Sequence, residues 1–212
     1  LISKGSIKSL AFHPQENILA VGGEDGSLQF RSVPELKLIS TLPAHKNSVA
    51  AGEFNTRGDV FVSGSQDGKL IIWDWKNKKK RSVIEFEDAV TDLKIHPKQQ
   101  EIAVGTAGGN FEIWSLEKGE QLHNINKFES ALTQVAFDNN GQRIISALEN
   151  GSVHIWEYGE SLHLQTLSGH ERTVESLEFG ICSGDHLSFL CVCALAHLLR
   201  SASGPERVIG TS

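Results

Sequence analysis

The sequence predicts an all-β protein built from repeated antiparallel sheets, and three observations support this prediction. An apolar residue that ends one short strand recurs every 41 or 42 residues, at Phe12, Phe54, Ile95, Phe137 and Phe179. The glycine of a tight turn keeps the same spacing, at Gly26, Gly68, Gly109 and Gly151. Five residues after each of these glycines stand Arg31, Trp73, Trp114 and Trp156. Three markers that share one period indicate a structural repeat.

A unit of this length with three or four short strands is typical of one blade of a β-propeller. The pairs Asp25-Gly26, Asp67-Gly68 and Asn150-Gly151 favour tight hairpins, because glycine tolerates the positive φ of such a turn. The apolar runs 60–62 and 70–73 are continuous, as expected of strands that pack against neighbours on both faces.

The pattern predicts four strands in each of the first four units and the beginning of a fifth unit. The predicted strands are 7–12, 18–22, 27–31 and 36–42; 48–54, 60–65, 69–74 and 81–86; 90–95, 101–105, 110–114 and 121–125; and 132–137, 143–147, 152–156 and 163–167. The fifth unit begins with 174–179, and 187–192 offers a second strand. No helical period is expected before residue 185.

The second unit resembles a repeat of the WD40 family. In that family a His before the first strand, a Ser or Thr in the second strand, the turn Asp and the Trp form a buried hydrogen-bonded network, which this unit matches as His45, Ser63, Asp67 and Trp73. The resemblance implies that these residues are structural, because a buried His and Asp need partners. They also contain a Ser, His and Asp, but no oxyanion site accompanies them, so no catalytic residue is expected.

The resemblance covers residues 1–179, with blades at about 4–42, 43–86, 87–128 and 129–170 and part of a fifth at 171–179. Residues 180–212 depart from it, because no Asp-Gly turn and no further Trp follow. We expect a divergent tail, from an alternative exon or a truncated product, with a diverged final blade as the alternative. The sequence therefore predicts a partial WD40 β-propeller, a fragment of four full blades and the start of a fifth in an open row.

Composition narrows the classes of function. The net charge of −6 argues against a general nucleic-acid binder, which would carry a basic face. Cys191 and Cys193 are too closely spaced for a zinc pair, so we expect neither a metal nor a cofactor, and we favour apolar packing of the cysteines. No signal peptide is recognisable, and the apolar run 187–199 is too short for a membrane helix. We expect an intracellular protein, cytoplasmic or nuclear, with no membrane partner.

Two other features have structural interpretations. The basic run 76–81 fits a solvated hairpin loop, with a nuclear-import or anion-binding patch as the alternative. His13-Pro14 and His96-Pro97 follow the first strands of their units, where polar turn residues are usual, so we expect no ligand role for them.

The resemblance implies a non-catalytic scaffold or adaptor that binds other proteins through loops at one face of the propeller. The loop residues that we expect to contact a partner are polar and net acidic in units three and four. They are Lys46, Asn47, Gln66, Glu87, Asp88, Glu129, Ser130, Glu149 and Arg172. A partner segment that carries basic residues would complement them. The alternatives are a ligand-binding or enzymatic propeller with a central pocket, or a truncated product without independent function.

Overall fold

The computed structural model describes residues 5–98, 100–159, 162–168, 170, 172–180 and 188–193, and these residues are all-β. They form eighteen strands and no helix. The first two sheets contain β1 Ile7–Phe12, β2 Ile18–Gly23, β3 Leu28–Ser32 and β4 Leu38–Leu42, and β5 Val49–Phe54, β6 Val60–Ser65, β7 Lys69–Asp74 and β8 Lys79–Glu85. The next two contain β9 Val90–Ile95, β10 Glu101–Thr106, β11 Asn110–Ser115 and β12 Gln121–Lys127, and β13 Leu132–Phe137, β14 Arg143–Leu148, β15 Val153–Glu157 and β16 Leu162–Leu167. The fifth contains β17 Val174–Gly180 and β18 Ser188–Cys193.

Each of the first four sheets is an antiparallel meander whose strands are paired in chain order. We call these sheets blades 1 to 4, and we call the pair β17-β18 blade 5. The predicted turn glycines close the second hairpin of each full blade with positive φ, from 75° at Gly68 to 84° at Gly109 and Gly151. The prediction of an all-β, partial propeller is therefore confirmed.

The core consists of apolar layers between consecutive blades. The first strands of the blades pack side by side, β1 on β5, β5 on β9, β9 on β13 and β13 on β17. Phe30, Phe61 and Trp73 belong to the layer between blades 1 and 2, and Ile72 and Val104 to the layer between blades 2 and 3. Because the middle strands are covered on both faces, Leu70, Ile71 and Ile72 are each 0% exposed.

Among the described residues, blade 1 is covered on one face, by blade 2. On its other face Leu10 is 59% exposed and Phe12 is 68% exposed. Phe54, the residue of blade 2 at the same repeat position as Phe12, is only 7% exposed because blade 1 covers it.

The predicted boundary at residue 179 stays a prediction. β18 starts one residue after the predicted strand 187–192, and it pairs with β17 from Val174–Cys193 to Gly180–Ser188. Residues 181–187 and 194–212 lie outside the described residues, and so do the side chains of all three cysteines. In the part of the chain that the structure describes, no helix has the length and apolar character needed to cross a membrane.

Candidate functional site

The predicted network of blade 2 links the segment before β5 to the second and third strands. His45 Nδ1 lies 3.1 Å from Asp67 Oδ1, and His45 Nε2 lies 2.8 Å from Ser63 Oγ. The Trp73 indole N–H donates to the same Ser63 Oγ at 3.0 Å. Because a carboxylate only accepts, His45 donates from Nδ1 and accepts the Ser63 O–H at Nε2, which leaves an Oγ lone pair for the indole.

Burial and hydrogen bonding set the charge states in this network. The His45 side chain is 0% exposed, and burial lowers its pKa although Asp67 opposes the shift. Burial tends to raise the pKa of Asp67, but the Lys46 backbone N–H and His45 outweigh that effect and the pKa is lowered. The network therefore holds a neutral His beside an ionised Asp at neutral pH.

The order Asp67, His45, Ser63 has the connectivity of a catalytic triad, but its surroundings do not suit nucleophilic attack. Ser63 is 0% exposed, so no substrate carbonyl reaches its hydroxyl. The Trp73 indole N–H also occupies the Oγ lone pair that would attack. The arrangement can stabilise blade 2, and it cannot present a nucleophile.

The corresponding residues of the other blades make different contacts. The Trp114 indole N–H of blade 3 donates to Glu112 Oε2 at 2.9 Å. In blade 4, Phe128 takes the place of the His, and neither Ser146 Oγ nor Trp156 Nε1 has a hydrogen-bond partner among the described residues. Phe128 instead packs edge-on against Trp156, with ring centroids 6.2 Å apart.

The nine predicted loop residues lie at one end of the row of blades, which we call the loop end. Each hairpin turn there packs against the segment that enters the next blade: Phe86 N–H donates to Gly68 O at 2.8 Å, and Phe128 N–H donates to Gly109 O at 2.9 Å. Gly151 lies in the same way against the backbone of His170 and Arg172. This packing places the predicted residues of blades 2 to 5 side by side along the loop end.

Most of the nine side chains are accessible to solvent. The exposed residues are Lys46, Asn47, Gln66, Glu87, Glu129, Glu149 and Arg172, and the half-buried ones are Asp88 and Ser130. The Asp88 carboxylate is packed against Gly108, where a Cβ would overlap it. The loop end thus presents the carboxylates of Glu87, Glu129 and Glu149 to solvent across blades 3 and 4.

Sequence reasoning missed two acidic clamps between first strands. Glu53 Oε2 of β5 accepts the Ile95 N–H of β9 at 2.8 Å, and Asp92 Oδ2 of β9 accepts the Val135 N–H of β13 at 2.9 Å. These N–H groups lie on edge strands and have no ladder partner. Acidic residues inside apolar first strands were the available signal.

Burial raises the pKa of both carboxyls. Asp92 is 8% exposed, and burial raises its pKa to about 6, although the hydrogen bond from the Val135 N–H and the charge of Lys94 act to lower it. Burial also raises the pKa of Glu53, whose Oε1 lies 3.9 Å from the Lys94 ammonium. Among the described residues, no group of three or more His, Cys, Asp or Glu could hold a metal ion.

Sequence reasoning also missed the burial of two histidines, which are 7% (His13) and 3% (His96) exposed. His13 accepts the Glu16 N–H at Nδ1 and therefore donates from Nε2 to Gly58 O in blade 2, at 2.9 Å. His96 donates from Nε2 to Gly141 O in blade 4, also at 2.9 Å. We call each His-Gly contact a histidine latch. Each latch joins the first turn of one blade to the first turn of the next.

Comparison with known proteins agrees with this fold. Residues 3–191 match the family model described as "Nucleolar protein 10-like, N-terminal domain", a β-propeller. The chain is 30% identical over 118 residues to a periodic tryptophan protein 2 homolog of Neurospora crassa, an alignment that covers 55% of this chain and 13% of that protein. It is 31% identical over 117 residues to WD repeat-containing protein srw1 of Schizosaccharomyces pombe, covering 52% of this chain and 21% of that protein.

The human angio-associated migratory cell protein is 27% identical over 121 residues, which cover 56% of this chain and 27% of that protein. The aligned regions thus span 13% to 27% of these relatives. The family model, by contrast, covers most of the chain, and its propeller is the architecture that the described blades form. The chain is a WD-repeat protein and belongs to the family of nucleolar protein 10-like N-terminal β-propeller domains.

Proposed function

We propose that this chain is a non-catalytic scaffold that binds a basic segment of another protein at its loop end. The observation that supports the proposal is the row of exposed carboxylates across blades 3 and 4, Glu87, Glu129 and Glu149, with Asp88 half-buried among them. A polar rim of one sign favours a partner of the opposite charge and speeds its association. The buried network next to this surface holds the Lys46 segment in place and leaves its side chain exposed.

The test is a charge reversal at the loop end. We expect the triple variant Glu87→Lys, Glu129→Lys, Glu149→Lys to bind a labelled Lys- and Arg-rich peptide at least about tenfold more weakly, since close charge pairs across an interface contribute more than 1.4 kcal/mol in total. A matched control reverses Glu117, Glu120 and Glu157, which are exposed and flank the turns at the other end of the blades. Equal losses in both variants would contradict a specific site.

The variant Asp67→Ala tests whether the network stabilises the fold without contributing to peptide binding. It should lower the free energy of unfolding by about 1–3 kcal/mol, because it removes a buried acceptor from His45 and from the Lys46 N–H. Peptide binding by the folded variant should persist, because Asp67 contributes no carboxylate to the exposed row. Loss of binding at unchanged stability would overturn the structural role of the network.

We also propose a nuclear location, which the name of the family supports. Fluorescence microscopy of the tagged chain tests it. Exclusion of the chain from the nucleus would contradict it, and would leave the peptide-binding proposal standing.

A further inference from the structure

A pocket of about 390 Å³ opens between blades 1 and 2, at the end of the blades away from the loop end. Its wall includes His13, Trp75 and Gly58, and three cationic side chains, Arg57, Lys76 and Lys78, also line it. Glu16 is the one carboxylate among the residues that line it. Lys76 and Lys78 of the basic run 76–81 thus form part of the pocket wall.

Lys78 is held in an unusual backbone conformation. Its φ is 55°, in the left-handed region, where a residue with a Cβ is strained. The same repeat position holds Leu36 with φ 55° and Gly119 with φ 68°, so the turn imposes this conformation in blades 1 to 3. Glycine would satisfy the turn without strain, and strained residues with side chains cluster at binding sites.

The Lys78 ammonium is partly removed from water without an anionic partner. It lies directly over the Trp75 ring and 5.6 Å from the centre of Phe30. Burial lowers the pKa of Lys78 to about 8, against the attraction of Glu16. No carboxylate of the described residues lies within ion-pair distance of it. An anion in the pocket would supply the missing partner and would favour the charged ammonium.

The other two cations have room for an incoming anion. The Arg57 side chain is 64% exposed, and its Nε lies 3.5 Å from Asp59. Lys76 is exposed. Guanidinium and ammonium groups are the usual protein ligands of phosphate and carboxylate, which they bind by charge-assisted hydrogen bonds.

We infer that this pocket binds an anionic group, a phosphate or a carboxylate, carried by a peptide segment of a partner protein. The occupant is distinct from the basic segment proposed for the loop end. A nucleic acid fits less well, because Trp75 is only 4% exposed and lies under Lys78, which leaves no aromatic face for a base to stack on. The net charge of −6 also disfavours a long polyanion.

The test measures fluorescence anisotropy with four labelled probes: a phosphoserine peptide, its glutamate counterpart, its alanine counterpart and a single-stranded RNA of equal length. We expect the phosphoserine or the glutamate peptide to bind at least about tenfold more tightly than the alanine peptide. Which of these two peptides binds better identifies the anion.

The decisive variant is Lys78→Gly, which removes the ammonium and relieves the backbone strain. Its thermal midpoint should equal or exceed that of the parent chain, while its affinity for the acidic peptide falls about tenfold or more. Arg57→Ala should weaken binding in the same direction. The matched control is Lys98→Ala, because Lys98 lines the corresponding pocket between blades 3 and 4. Its affinity should stay within about twofold of the parent value.

A second measurement does not depend on substitution. The pKa of the Lys78 ammonium, followed by NMR, should rise when the acidic peptide is added. The inference is overturned if Lys78→Gly binds the acidic peptide as the parent chain does, or if the alanine peptide binds equally well. It is also overturned if the RNA binds more tightly than the peptides and loses that affinity in Lys78→Gly.

Discussion

The junction of blades 1 and 2 shares its latch and its ring contacts with the junction of blades 3 and 4. The two junctions differ in their buried hydrogen bonds. Both junctions contain a histidine latch, and in both the His ring packs edge-on against a Phe, with centroids 4.8 Å apart for His13–Phe54 and 4.9 Å for His96–Phe137. Trp75 and Tyr158 add a second ring at equivalent positions.

The two junctions differ in how they satisfy buried polar groups. At the first junction, the Trp73 N–H donates to Ser63 Oγ in the blade 2 network. At the second junction, the Trp156 N–H has no partner among the described residues. The second contains the Asp92 clamp, whereas Ser9 stands at that position in the first and donates to Val49 O at 3.3 Å. The comparison teaches that these two junctions share the latch and its ring contacts, while the hydrogen bonds of Trp73, Trp156, Ser9 and Asp92 differ between them.

The largest expected effect tests the shared part of this comparison. Gly58→Ala and Gly141→Ala should each lower the free energy of unfolding by about 3 kcal/mol, because φ is +72° and +71° there and a Cβ would overlap the His ring. Urea denaturation measures the loss. Gly159→Ala is the control, since its φ is +96° but nothing lies within 4 Å of a Cβ, so it should cost only about 1 kcal/mol.

A double variant makes the latch test stricter. In His13→Ala, Gly58→Ala the overlap with the ring is absent, so the combined loss should be smaller than the sum of the single losses. Additive losses would contradict overlap with the His13 ring as the cause of the Gly58→Ala loss. A clear difference between Gly58→Ala and Gly141→Ala would show that the two latches are not equivalent.

The second prediction concerns pH and applies only to the junction of blades 3 and 4. The pKa of Asp92 is about 6 in the folded chain, whereas its ordinary value is 3.8. Between pH 3.8 and pH 6 the folded state therefore binds more protons at this group than the unfolded state does. Stability from this group is therefore greatest below pH 3.8 and falls, by at most about 3 kcal/mol, as pH rises through 6.

Asp92→Asn should remove this contribution. The Asn side-chain oxygen can still accept the Val135 N–H, so at pH 7.5 the variant should be as stable as the parent chain or more stable, by up to about 2 kcal/mol. Chemical denaturation at pH 5 and pH 7.5 checks it, with the exposed Glu87→Gln as control. An unchanged pH dependence in Asp92→Asn would contradict a raised pKa.

The smallest expected effect compares two tryptophans. Trp73→Phe should cost about 1–2 kcal/mol more than Trp156→Phe, because it removes a donor from buried Ser63, while Trp156 Nε1 has no acceptor among the described residues. Thermal unfolding of the two variants measures the difference. Equal costs would mean that the Trp73–Ser63 hydrogen bond adds no stability beyond that of ring packing.

The sequence predicted the strands well where turn chemistry and apolar runs mark them, and less well at outer strands. β7 is found at the predicted residues because the Asp67-Gly68 turn precedes a continuous apolar run. β8 begins at Lys79, two residues before the prediction, because an outer strand faces solvent and its lysines carry no apolar signal. The terminal segment 194–212 lies outside the described residues.

For the candidate site, the resemblance to the WD40 family grouped His45, Ser63, Asp67 and Trp73, which form a chain of three hydrogen bonds. It could not reveal that His13 reaches Gly58, because that contact joins residues 45 positions apart in different blades. It also gave no reason to expect Asp92 to cap Val135, since the need arises from an unpaired edge-strand N–H that only the packing of two sheets creates.

The latches have a consequence for engineering the chain. Surface turns usually absorb insertions with little cost. Here the turn between β1 and β2 and the turn between β5 and β6 must keep their lengths, because an added residue would carry His13 away from Gly58. The same holds for the turns that carry His96 and Gly141. An affinity tag, a fluorophore or a grafted loop should therefore be placed outside these four turns.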